Sequence, residues 1–279
     1  MKTKTRMTET KDLSIYIHIP FCEQKCNYCA FNSFCASEQI KNEYIDLLCK
    51  EIENRKVKRP IKTIYIGGGT PSVLTENQIE KIVKCLYDNF DVYEDAEFTI
   101  EANPNSISEE LLKVWKSLRI NRLSIGVQSL SDKSLKKIGR LHDKKMAVEK
   151  IKLARHYFDN VSADLIVGLE GETGKDLCSY AKTLLGLGVK HISCYLLEIY
   201  KNTKLYQEIA QKKYKPLGDD QMIDSFNKLA NYLQDAGMER YEISNFAFLG
   251  YESRHNLNYW ARGEYLGFGL SAHSYIDGK

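Results

Sequence analysis

The chain has 279 residues and a formal net charge of only +3, without the clustered basic excess of a nucleic-acid binder; Lys56, Lys58 and Arg59, its densest basic run, read as a solvated helix end. A hydrophobic fraction of 43% beside 28% charged residues is that of a soluble globular protein with one sizeable core, and no stretch reaches the roughly 20 apolar residues of a membrane span. Met1–Lys11 is polar and lacks the apolar segment of a secretory signal, so a cytoplasmic location is expected, where eight cysteines stay reduced rather than forming a disulfide framework.

Residues 1–12 are expected to be a flexible N-terminus. Thereafter short apolar runs alternate with helical spacing. Strands are predicted at Ser14–Ile19, Thr63–Gly67, Glu97–Asn103, Arg122–Gln128, Val161–Gly168 and His191–Leu197. Helices are predicted between them, at Glu38–Lys56, Glu76–Tyr87, Glu109–Leu118, Lys144–Tyr157 and Lys175–Leu187. Six strands with long helical connections specify an α/β fold, a parallel array curled by right-handed crossovers into a partial (β/α)6 barrel of the TIM type over residues 13–200. Each strand has a greasy face for the helices and a polar or small one: Ile15, Ile17 and Ile19 oppose Tyr16 and His18, and Phe98, Ile100 and Ala102 oppose Glu97, Thr99, Glu101 and Asn103. The polar faces predict an open, wet interior that holds a ligand. Residues 201–279 read as a C-terminal extension: a polar excursion over Lys201–Pro216, a helix over Asp219–Ala236 stopped by Gly237, an extended Tyr241–Phe246, and a tail rich in His, Trp, Tyr and Gly.

Directly after the first strand come Cys22, Cys26 and Cys29, spaced by three and then two residues on one short loop. Thiolates at such spacing can converge on an iron–sulfur cluster. Zinc is the competitor; a closed zinc site needs a fourth ligand, for which Cys35 or His18 is near in sequence. The loop lies at the carboxyl end of the first strand, where βα barrels place their chemistry. The remaining Cys49, Cys85, Cys178 and Cys194 read as buried small hydrophobes.

The Cys-x3-Cys-x2-Cys spacing with Tyr28 before the last cysteine resembles the signature of the radical S-adenosylmethionine (SAM) superfamily. The resemblance implies a [4Fe–4S] cluster on Cys22, Cys26 and Cys29 whose open iron is chelated by SAM, with SAM cleavage to a 5′-deoxyadenosyl radical. It implies that Gly68, Gly69 and Thr70, in Gly67-Gly68-Gly69-Thr70-Pro71, bind the SAM amino group. Tyr16, Glu101, Gln128, Arg140 and Asp164 likewise resemble positions lining the SAM pocket, the carboxylates suited to ribose hydroxyls and the guanidinium to the methionine carboxylate.

From about Leu13 to Tyr275 the wording resembles the branch that contains oxygen-independent coproporphyrinogen III dehydrogenase and related haem chaperones. The dehydrogenase has a fourth cysteine where this chain has Phe31, and a long N-terminal extension where only 21 residues precede Cys22. Arg254-His255-Asn256-Leu257-Asn258-Tyr259-Trp260 resembles the chaperones' His-Asn-x-x-Tyr-Trp motif. This implies haem as a third cofactor, with His255 as iron ligand and Tyr259 and Trp260 stacking on the macrocycle; the alternative is a hydrogen-bonded histidine in an aromatic core strand. The implied partners are haem-accepting proteins, an electron donor such as a flavodoxin or ferredoxin, and a peripheral membrane contact, with no nucleic acid. Two departures stand out. Gly168-Leu169-Glu170-Gly171 replaces the branch's Gly-Leu-Pro-Gly, which should alter a turn, and the chain stops soon after Ala272-His273-Ser274, short of the smaller C-terminal domain of its relatives.

Overall fold

The computed structural model describes residues 12–279. The expected flexible segment 1–12 therefore lies outside the described residues except for Asp12, whose carboxylate accepts from the Tyr93 hydroxyl at 2.9 Å. In chain order the elements are β1 (Leu13–Ile19), α1 (Glu38–Asn54), β2 (Ile61–Gly68), α2 (Glu76–Asn89), β3 (Val92–Ala102), α3 (Glu109–Ser117), β4 (Arg122–Gln128), α4 (Asp132–Lys137), α5 (Lys144–Tyr157), β5 (Asn160–Val167), α6 (Gly174–Gly186), β6 (His191–Leu196), α7 (Lys204–Ala210), α8 (Asp219–Asp235), β7 (Glu239–Arg240), β8 (Asn245–Ala247), α9 (Arg254–Trp260) and β9 (Tyr265–Phe268). The helices start where side-chain oxygens take up free backbone N–H groups, as at Ser37, Thr75, Ser108, Asp143 and Thr203.

The strands form one sheet in the order β7-β8-β6-β5-β4-β3-β2-β1-β9. From β9 to β6 every neighbouring pair is parallel, while β8 runs antiparallel to β6 and to β7. The two edges do not pair, so the barrel is partial, as the alternation of elements predicted. Its outward faces, among them Ile15, Ile17, Ile64, Ile66, Phe98, Ile100, Leu123 and Ile125, are sealed under the helices and make the core.

Three local expectations are corrected. The extended Tyr241–Phe246 is instead a small hairpin, because the Arg240 guanidinium donates to the carbonyls of Glu242 and Ile243 and closes a turn there. The polar excursion contains α7. The tail supplies a seventh parallel strand, β9, which sits beside β1 with Ser14 opposite Tyr265 and Tyr16 opposite Gly267. The Gly168–Gly171 turn keeps both glycines at positive φ (+104° and +79°), and Glu170 adds an ion pair to Lys137 at 2.6 Å.

The polar inner face divides into two storeys. Near the amino ends of the strands Ser14, Thr63, Thr99 and Ser162 are wholly buried, so this part is not wet. Helix α9 closes it from below. The Glu97 carboxylate accepts from the backbone N–H of Arg254 (2.8 Å) and His255 (2.9 Å) and from the Ser253 hydroxyl (3.3 Å), a negative charge held at a helix N-terminus. Only the upper storey, towards the carboxyl ends, opens to the outside.

Candidate functional site

The cysteine loop is pinned on all sides by backbone bonds. Cys22 N–H donates to Phe34 O, Phe34 N–H to Pro20 O, Asn27 N–H to Ile138 O and Leu205 N–H to Asn27 O, at 2.7–3.0 Å. Lys25 adds bonds from its ammonium to the carbonyls of Phe31 and Ser33. Cys22, Cys26 and Cys29 are half-buried free thiols. The Thr70 hydroxyl lies 3.5 Å from Cys22 Sγ and the Arg140 guanidinium 3.5 Å from Cys26 Sγ, donors that favour thiolates. Burial pushes the Cys29 thiol up, while the Phe31 N–H and the Lys25 charge oppose the shift. Among the described residues no three His, Cys, Asp or Glu side chains converge tightly enough to grip one metal ion. A four-iron cluster takes each thiolate on a different iron, so three thiols on one loop can serve it, whereas a closed zinc site needs a fourth ligand. Cys35 is exposed and donates to the Glu23 carbonyl, and His18 bonds Tyr16 and Asn32, so neither is poised as the fourth zinc ligand.

Behind the loop, Gly68 adopts φ +113°, and a Cβ there would meet the His18 ring at 2.6 Å; one on Gly69 would meet Phe21 O at 2.7 Å. At both positions a side chain would collide with the protein itself, so only glycine lets this strand end pack against His18 and Phe21. Thr70 Oγ1 accepts from Asn103, which in turn accepts from Arg140 at 2.6 Å. Arg140 also donates to Gly126 O at 2.6 Å, and its guanidinium links the cysteine loop to the strand ends. Glu101 accepts from Tyr65 OH at 2.7 Å and Gly68 N–H at 3.1 Å. Burial, reinforced by the neighbouring Asp164, raises its carboxyl to about 7. Asp164, also raised by burial, accepts from Ser124 at 3.1 Å. Gln128 ends β4 at φ +66°, a costly conformation for a side-chain-bearing residue, and the β4–β5 register shifts there. Tyr16 stacks on Tyr65 with centroids 6.2 Å apart. Tyr28 packs against the small cluster of Ile138, Ile166, Leu169, Leu197, Leu205 and Tyr214.

The expected cluster and SAM residues therefore gather at one mouth: Cys22, Cys26, Cys29, Gly68, Gly69, Thr70, Glu101, Gln128, Arg140 and Asp164. Tyr65 and Asn103 were not singled out, although period-two alternation puts both on the inner face with Glu101.

The haem-motif residues part company. His255 is 1% exposed on α9, a helix rather than the strand considered for it. Its Nδ1 bonds Thr63 Oγ1 at 2.8 Å and its Nε2 bonds Tyr259 OH at 2.9 Å, so neither nitrogen faces an open site. As placed, it is a buried histidine with both ring nitrogens hydrogen-bonded. Tyr259 reaches a cleft of about 390 Å³ at the sheet's β1–β9 edge, while Trp260 lies 55% exposed on the surface. A larger cavity of about 460 Å³ lies on the outer layer between α1 and α2 and is lined mainly by charged side chains, away from the cysteine loop.

Comparison with known proteins agrees with this geometry. Residues 16–184 match the model of the Radical SAM superfamily. The chain is 41% identical over 270 residues to the haem chaperone HemW of Bacillus subtilis, covering 95% of this chain and 71% of that one. It is 35% identical to HemW of Escherichia coli, with 98% and 73% covered. Among solved structures, coproporphyrinogen III oxidase (HemN) from Escherichia coli, a radical SAM enzyme, superposes with a TM-score of 0.82 at 27% identity, covering 96% of this chain and 65% of that one. The superfamily implies a [4Fe–4S] cluster and SAM, and the thiol triplet, the partly exposed backbone of the glycine strand end and the polar strand ends fit both. The chain belongs to the radical SAM superfamily and, within it, to the HemW family of haem chaperones.

Proposed function

We propose that this chain binds haem as cargo beside a [4Fe–4S] cluster and SAM, and hands it to haem-accepting proteins. The similarity to HemW chaperones along nearly the whole chain carries this reading. Cys22, Cys26 and Cys29 would hold the cluster, which supplies an electron to SAM when both are bound. Gly68, Gly69 and Thr70 would take the SAM amino group, Arg140 the carboxylate, and Glu101 and Asp164 the ribose hydroxyls, with Tyr16, Tyr28 and Gln128 shaping the pocket. The pinned loop fixes the thiols against movement, and Lys25 ties its far end.

A second reading, coproporphyrinogen III dehydrogenation, draws on the HemN likeness. Phe31 speaks against it: it stands 69% exposed where the dehydrogenase has its fourth cysteine. The deciding experiment is anaerobic and has two arms on reconstituted protein. Haem loaded on the protein should move to an apo-haem protein, and coproporphyrinogen III should remain unconverted. Formation of protoporphyrinogen without haem transfer would reverse the assignment.

A further inference from the structure

We infer that the haem iron is ligated by His273, in the cleft between the cysteine loop and the turn after β9. The inference rests on the haem-chaperone reading and deepens it by naming where the cargo sits.

An iron porphyrin needs an imidazole with an uncommitted nitrogen beside a flat, largely aromatic wall. The chain has six histidines. His255 bonds Thr63 and Tyr259, His191 bonds Ser162 and Tyr241, and His18 bonds Tyr16 and Asn32. His142 is 3% exposed, with Nε2 on the Val127 carbonyl. His156 belongs to α5 in the outer helical layer, against Tyr157. His142 keeps an unpaired Nδ1 but is buried, and the rings of His156 and His273 make no hydrogen bond to the described residues; of these three only His273, which is exposed, lines the cleft.

That cleft has the right composition. About 390 Å³ lies within the range of small-molecule sites. Tyr16, Tyr259, Tyr265 and Phe31 face it, and Tyr259 meets Tyr265 edge to face at 4.7 Å. Phe31, 69% exposed, gains a partner only if something planar covers it.

The backbone that carries the imidazole is also held in place. Tyr265 and Tyr275 exchange backbone bonds at 2.8 and 2.9 Å, folding the tail back on β9. Ser274 accepts from Arg55 at 2.8 Å and from Gly267 N–H at 3.0 Å, and Ser271 accepts from Asn32 at 2.8 Å. A Cβ on Gly267 would lie 2.0 Å from His273 O, so this glycine is what allows the turn to close. Phe31 and Asn32 follow Cys29 by two and three residues, and His18 both lines the cleft and packs against Gly68. Cargo and SAM sites therefore share a wall. Binding is ligation alone: a neutral imidazole nitrogen donates its lone pair to iron, displacing a water, with no change of oxidation state.

The test is titration of ferric haem into the reconstituted full chain, followed by electron paramagnetic resonance, and by resonance Raman of the reduced form for the iron–imidazole band. Wild type should show imidazole ligation. His273→Gly should lose that signature and bind haem roughly tenfold or more weakly, a difference of about 1.4 kcal/mol. Free imidazole should restore the signature in His273→Gly, and His255→Gln should retain it. If wild type shows the signature and His273→Gly keeps it unchanged, His273 is not the ligand and the chaperone reading survives. If wild type takes up no haem, the chaperone reading falls and takes this inference with it.

Discussion

The backbone N–H of His255 donates to the carboxylate of Glu97 at 2.9 Å, joining the helix that carries the haem-motif histidine to the third barrel strand, 158 residues away in sequence. Ser253 and Arg254 donate to the same carboxylate. One buried side chain thus fixes the start of α9 and, through it, closes the lower barrel.

Glu97→Ala should therefore act on stability. It leaves several buried donors without an acceptor, at a cost of about 3 kcal/mol by ordinary unsatisfied-group penalties. Urea denaturation would show a lower midpoint. An unchanged midpoint would mean that α9 is not held as described.

His255 should make the fold acid-sensitive. Burial first, and the Arg122 charge second, lower its pKa from 6.5 to about 3. The unfolded chain then takes up a proton below pH 6.5 that the folded chain refuses. Stability from this group is full above 6.5 and is lost as pH falls towards 3, by at most about 1.4 kcal/mol per unit. His191, also buried beside Arg122, acts in the same direction. In His255→Gln the stability–pH curve should be shallower between pH 6.5 and 4.5, from a lower starting value at pH 7.5. Parallel curves for the two proteins would refute the assignment.

Glu101 should impose the opposite dependence on stability, and make SAM binding depend on pH. With its carboxyl raised from 4.5 to about 7, the folded protein holds that proton, so the group's contribution to stability is present below 4.5 and fades as pH rises through 7. Only the ionised form is a pure acceptor for ribose hydroxyls. SAM affinity measured calorimetrically should rise roughly threefold to tenfold from pH 6 to pH 8. In Glu101→Gln it should be weak and flat.

Cys26→Ala should lose the cluster. Anaerobically reconstituted wild type should carry about four irons per chain. The variant should fall to near background while keeping its far-ultraviolet circular dichroism, because Cys26 lies on a loop held by backbone bonds on both sides. Full iron retention would show that the triplet is not the cluster site.

The sequence by itself determined the array of strands and helices, the cysteine loop and the polar strand ends. These follow from local rules: period-two alternation puts Tyr16, Glu101 and Asp164 on one face, and three thiols within eight residues must share a loop. Only the tertiary structure decided what that polar face encloses. Thr63 and Glu97 read as a wet lining until α9, from the far end of the chain, supplies their partners, and Ser14 is bonded in turn by Thr63. His255 and His273 look alike as letters. The first is committed by Thr63 and Tyr259, and the second is left free by a turn clamped through Arg55 and Asn32. Which imidazole keeps a nitrogen for a ligand depends on contacts between residues that are distant in sequence, and no local pattern encodes them.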